Sequence, residues 1–150
     1  MSLKAVKHLS FIFVLLLLLA GCRAQTPEVL VQKKNGDKIS VSVEVMRTKD
    51  EWHLGLMYRK SLKKDRGMLF IFGKEENHPF TMKNTYIPLD MIFISRTKQI
   101  AGIVENTVPK TKGPYQIQKP SQYVLEVNAG FCRENGIEKG DRVVFERVEK

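Results

Sequence analysis

EVLVQKKNGDKISVSVEVM, residues 28–46, decides the class of the fold. Ile39, Val41, Val43 and Val45 alternate with Ser40, Ser42 and Glu44. That period of two turns one face of a strand to a core and the other to water. The preceding run, EVLVQ, is a second short strand, and Asn35-Gly36 between the two tolerates positive φ. Together they predict an antiparallel hairpin closed by a type I′ turn.

Downstream the period changes. Thr48-Lys49-Asp50-Glu51 spells a capping box, in which the Thr48 hydroxyl accepts from the Glu51 amide and Glu51 reaches back. Trp52, Leu56 and Met57 follow at helical spacing and predict two or three turns with one buried face. Gly55 lowers helix propensity there, so its role is read as close packing. From Gly67 the chain returns to strands: MLFIF (68–72), PFTM (79–82), LDMIFI (89–94), IAGIVEN (100–106), QYVLEVN (122–128) and RVVFERV (142–148). TVPKTKGPYQIQKPS (107–121) reads as a long surface loop. AGFCREN (129–135) is expected to make one helical turn closed by Gly136. The expected fold is therefore mainly β: a single-domain antiparallel β-sandwich or flattened barrel, jelly-roll-like, with one or two short helices.

Upstream, residues 1–21 carry Lys4 and Lys7 ahead of LSFIFVLLLLLAG, the pattern of a secretory signal. The apolar run is shorter than the ~20 residues of a membrane-spanning helix. Leu19-Ala20-Gly21-Cys22 resembles the bacterial lipobox, which implies acylation of Cys22 as the mature N-terminus. The expected organisation is a signal peptide over 1–21, a lipidated tether over 22–27 and one domain over 28–150. Loss of Lys4 and Lys7 lowers the formal net charge from +9 to +7. The remaining basic residues are interleaved with acids, and no nucleic-acid recognition motif is present. The expected location is the periplasmic face of a bacterial membrane, reached through the Cys22 acyl chains, with the outer membrane favoured in a cell that has two. Cys132 then lacks a partner in the chain and is expected to be buried as a small hydrophobe.

The residues that could carry chemistry interrupt the apolar strands. Arg59 and Arg66 flank the segment after the helix, Lys83-Asn84-Thr85 fills a turn, and Asp90 and Glu126 are carboxylates within strands. These seven make either a polar clasp tying loop, helix and sheet together or a pocket for a small polar ligand. Two other readings are open. Asp90 and Glu126 facing across a cleft would suit a glycoside hydrolase. Met57, Met68, Met82 and Met91, with His53 and His78, offer soft ligands for Cu(I). No nucleophile elbow, zinc-helix or phosphate-loop motif is present. The balance leans away from an enzyme, and no cofactor or metal is expected.

GLMYRKSLKKDRGMLFIF (55–72), FTMKNTYIPLDMIFI (80–94) and YVLEVNAGFCRENGIEKGDRVVF (123–145) resemble the three signature blocks of domain of unknown function family number 192. The resemblance spans roughly residues 28–148, with Tyr58 and Phe80 where the family often has another aromatic. It implies a compact jelly-roll β-sandwich, often exported or lipid-anchored, and no established activity. The function expected is a non-catalytic binding or accessory module for a small polar ligand, a glycan or an envelope partner.

Overall fold

A computed structural model describes residues 26–148; the expected signal peptide, Cys22 and most of the tether lie outside them. Seven strands and two short helices follow one another as β1 (Glu28–Gln32), β2 (Lys38–Met46), α1 (Lys49–Leu54), β3 (Arg66–Glu76), β4 (Leu89–Ile94), β5 (Ile100–Val104), β6 (Ser121–Asn128), α2 (Phe131–Asn135) and β7 (Arg142–Glu146). They form one sheet in the order β5-β4-β6-β3-β2-β1-β7. The sheet curls until its outer strands approach: Ile100 N–H donates to the Asp141 carbonyl (3.0 Å) and Val143 N–H to the Lys98 carbonyl (2.8 Å). This is the flattened-barrel form of the expected mainly β fold.

The predicted β1–β2 hairpin is present, with Glu28 opposite Ser42 and Gln32 opposite Lys38. Its turn differs from the expected type I′. Gly36 N–H donates to the Lys33 carbonyl (3.0 Å), and within Lys33–Gly36 only Gly36 has positive φ, at 93°. Type I′ requires positive φ at both central residues. Asn35 is occupied instead by its side chain, which accepts from Asp37 N–H at 3.0 Å and holds the longer loop.

The expectation of antiparallel pairing fails at one place. β2 and β3 are parallel, Ser42 opposite Arg66 and Met46 opposite Phe70. A parallel neighbour needs a crossover, and α1 lies on it. The capping box begins that helix as expected, with Glu51 N–H on Thr48 Oγ1 (3.3 Å) and Thr48 N–H on Glu51 Oε2 (2.8 Å). The helix is shorter than expected because it ends at Gly55, whose φ of 44° suits glycine. A Cβ there would stand 3.3 Å from the Phe70 ring, so the close packing read from the sequence holds. PFTM (79–82) is not a strand. It contributes one bridge, Phe80 to Tyr115, within a loop layer.

That layer explains the continuous apolar runs. Every residue of β4 is buried, because the central strands β3, β6 and β4 are covered on both faces. Leu69, Ile92, Ile94, Leu125 and Val127 point into the barrel, where Cys132 and Ile137 close one end. Met68, Phe70, Phe72, Met91, Phe93 and Val124 point outward, under Leu56, Met82 and Ile87 from the loops. Gly67 marks where β2, β3 and β6 come closest: a Cβ would lie 2.8 Å from the Glu126 carbonyl and 3.0 Å from Val41. The outward face of β3 and β6 is the floor of the cavity described next.

Candidate functional site

Asp90 is completely buried and belongs to the barrel face. Its Oδ2 accepts from Cys132 N–H in the first turn of α2 (3.0 Å), and its Oδ1 accepts from Asn106 N–H (2.9 Å). Thr107 fixes the start of the strand, its Oγ1 accepting from Leu89 N–H at 3.0 Å. Asp90 therefore ties β4 to α2 and to the loop after β5, the work of a clasp. The same carboxylate, together with burial as the larger cause, raises the Cys132 thiol well above its ordinary range. Cys132 is the buried hydrophobe expected from the sequence.

The turn at 83–85 forms a second, separate cluster. Asn84 takes the left-handed conformation expected of it, φ 57°. Its carbonyl accepts from Tyr58 N–H and its Nδ2 donates to Tyr58 Oη, both at 2.8 Å. Lys83 is exposed; its backbone N–H donates to Thr81 Oγ1 (3.2 Å) and its carbonyl accepts from Thr85 Oγ1 (3.5 Å). Arg59 grips Glu44 with Nη2 on Oε2 at 2.6 Å. That hydrogen bond holds Glu44 below the usual carboxylate range, with Arg66 adding a weaker pull. This is a surface fork on β2 and does not approach Asp90's partners. The pocket of Arg59, Lys83, Asn84 and Asp90 anticipated from the sequence thus divides into two clasps.

Glu126 is in a third environment. On β6 it shares the outward face with Val124, and its cross-strand neighbours are Met68 on β3 and Met91 on β4, both fully buried. Glu126 is 4 % exposed and lines a cavity of about 270 Å³ walled by Trp52, Phe70, Phe72, Phe80 and His78. Thr85 reaches the same wall. Burial, with no cation or hydrogen bond to offset it, pushes the carboxyl up to about 8, so it is protonated at neutral pH. The aromatic wall is continuous: Trp52 meets Phe72 with centroids 4.9 Å apart, Phe70 meets Phe80 at 5.2 Å, and His78 stacks on Phe72 at 3.7 Å. α1 supplies Trp52, held by Nε1–H on the Met46 carbonyl at 3.1 Å.

The paired-carboxylate hydrolase is overturned by this arrangement. Asp90 is opposite Val127 while Glu126 is opposite Met91, so strand alternation sends the two side chains to opposite faces. The Cu(I) reading fares no better. Met68, Met82 and Met91 are sealed in the core at 0 % exposure, and of the described methionines only Met57 lines the cavity. His53 Nδ1 and His78 Nε2 bond the Lys49 and Lys74 carbonyls at 2.6 and 3.3 Å. Among the described residues no three His, Cys, Asp or Glu side chains group to hold a metal.

Of the seven site residues read from the sequence, Glu126 and Thr85 reach this cavity and Asp90, Arg59, Arg66, Lys83 and Asn84 do not. The aromatic wall was not singled out, because each ring reads as ordinary core. One signal was present: Phe70 and Phe72, two apart on β3, must share the face of Met68.

The DUF192 family model, described as an uncharacterized ACR, matches residues 30–145. A solved structure from Sinorhizobium meliloti 1021, described as a candidate transcription regulator, is 37% identical with a TM-score of 0.77, covering 83% of this chain and 98% of its own. A protein of unknown function from Novosphingobium aromaticivorans DSM 12444 is 32% identical with a TM-score of 0.76, covering 81% and 94%. No curated protein matches the chain.

Proposed function

We propose that this chain, which belongs to the DUF192 family, is an exported, lipid-anchored binding module whose outward cavity takes a small ligand. The observation that carries the reading is Glu126: a buried carboxyl, without a protein partner among the described residues, on an aromatic-walled cavity. Buried polar groups are satisfied as a rule, and convergent polar groups in apolar concavities mark binding sites. Cavities for drug-sized ligands run to about 300–1,000 Å³, so the occupant is smaller than that. The anchor rests on the lipobox-like residues ending at Cys22, four positions before the described domain. The regulator role attached to the Sinorhizobium structure is not carried over, since no nucleic-acid recognition motif is present in this sequence.

The test is chemical-shift mapping on the full-length protein in nonionic detergent against small amines, sugars and carboxylates. Ligand-dependent shifts confined to the Trp52 indole, Phe72, Phe80 and Thr85 support the cavity. Shifts confined to Lys83, Asn84 and Arg59 place binding on the surface clasp and refute it. For the anchor, Cys22→Ala is expected to move the protein out of the membrane fraction, and retention there would refute lipidation.

A further inference from the structure

We infer that the occupant of this cavity carries a methylated ammonium group, with Glu126 as its counter-charge and the rings of Trp52, Phe70, Phe72 and Phe80 as its walls. The inference rests on the binding reading above and adds the chemical class of the ligand.

The polar inventory of the cavity selects that class. Thr81 Oγ1 is taken by Lys83 N–H (3.2 Å) and the Thr111 carbonyl (3.4 Å), and Thr85 Oγ1 reaches the Lys83 carbonyl (3.5 Å). One nitrogen of His53 and one of His78 are engaged by backbone carbonyls. Each imidazole keeps one ring nitrogen, and Glu126 is the lining carboxyl with no hydrogen bond from a described residue, between two thioether neighbours that offer none. A sugar would bring several hydroxyls here with few partners, each buried without one at a cost of about 1–3 kcal/mol. A carboxylate or phosphate would bring its charge into low-dielectric surroundings beside an acid that no described cation offsets. A primary ammonium has three N–H donors to satisfy, against one carboxyl.

A di- or trimethylammonium group differs from all of these. Its methyls need no hydrogen bonds, its charge is attracted to aromatic faces within about 6 Å of the ring centroid, and its size fits about 270 Å³. Its charge also supplies what the carboxyl lacks. An opposite charge at contact favours the ionised carboxyl, so the cation enters as the Glu126 proton leaves to solvent, and the filled cavity is neutral. His53 and His78 are the other titratable groups on the lining, so the proton count must be assigned with a Glu126 variant.

The experiment is isothermal titration calorimetry on the full-length protein in nonionic detergent at pH 7, in buffers of different ionisation enthalpy. The probes are choline, tetramethylammonium, the neutral carbon isostere 3,3-dimethylbutan-1-ol, and methyl glucoside. The expected result is choline binding with release of about one proton, at least tenfold weaker for the isostere. Glu126→Gln and Trp52→Ala are each expected to weaken choline at least tenfold, and Glu126→Gln to abolish the proton release. If the isostere or the glucoside binds as well as choline, or Glu126→Gln leaves choline binding intact, the cation is wrong while the cavity stands. If no probe binds and shift mapping is silent as well, the binding reading falls with it. Should either variant fail to fold, the wild-type proton count and the choline-to-isostere ratio decide alone.

Discussion

Asp90 and Glu126 stand on neighbouring strands, one register step apart, and point to opposite faces of the same sheet. Asp90 spends its carboxylate on two backbone N–H groups at the barrel face, from Cys132 and Asn106. Glu126 spends its own on no described residue and faces a cavity. Two carboxylates that look alike in sequence thus divide into a structural part and a ligand-facing part.

Asp90→Ala is expected to destabilise the fold strongly. It removes a buried charged acceptor from two N–H groups, each such bond worth about 1.5–3 kcal/mol. A loss of about 3 kcal/mol or more in urea denaturation is the expected outcome. A loss under about 1 kcal/mol would show that the clasp holds little.

Glu126 makes the opposite case through pH. Its folded carboxyl titrates near 8 against an ordinary 4.5. Between those values the folded state holds a proton that the unfolded state has released. Stability is therefore unpenalised below pH 4.5 and declines as pH rises toward 8, by ~5 kcal/mol at most. Glu126→Gln is expected to remove that decline, gaining most over wild type near pH 9. Parallel pH–stability curves for the two proteins would contradict it.

Arg59→Ala tests the surface fork. Both partners are well exposed, at 36% and 50% of the side chain, and exposed pairs contribute ~0–1 kcal/mol. A change in melting midpoint of a degree or two is expected, with folding and ligand binding otherwise unchanged. A loss above about 2 kcal/mol would mean that the Arg59–Glu44 pair holds the crossover in place.

Gly67→Ala is expected to cost stability in the range of about 1–3 kcal/mol seen for overpacking. Its new methyl would meet the Glu126 carbonyl at 2.8 Å, backbone that cannot rotate away. Because that carbonyl belongs to Glu126 itself, ligand affinity should fall along with the melting midpoint. Unchanged affinity in a destabilised variant would separate the two.

The local elements were legible where the physics is local. Thr48 and Glu51 announced the helix start, Asn84 the left-handed turn, and the alternation in KISVSVEVM a half-buried strand. Where both faces are covered, alternation says nothing. LDMIFI is apolar on either side of β4, so the direction of Asp90 could not be read until its partner Val127 was known. PFTM looked like a strand because Phe80 and Met82 alternate, yet those side chains roof the outer core from a loop. The parallel β2–β3 pair depends on where the crossover lands, which no residue in it states. The cavity was the hardest to see, since Trp52, Phe72 and Phe80 come from three separate segments and each alone is indistinguishable from packing.

A carbon-13 titration of the Glu126 side-chain carboxyl in the ligand-free protein tests the central claim most directly. A midpoint near 8 is expected, which would establish a desolvated, unpartnered acid on the cavity. A midpoint near the ordinary 4.5 would show the carboxyl solvated or already paired, and the cavity would lose the one group that makes it a site.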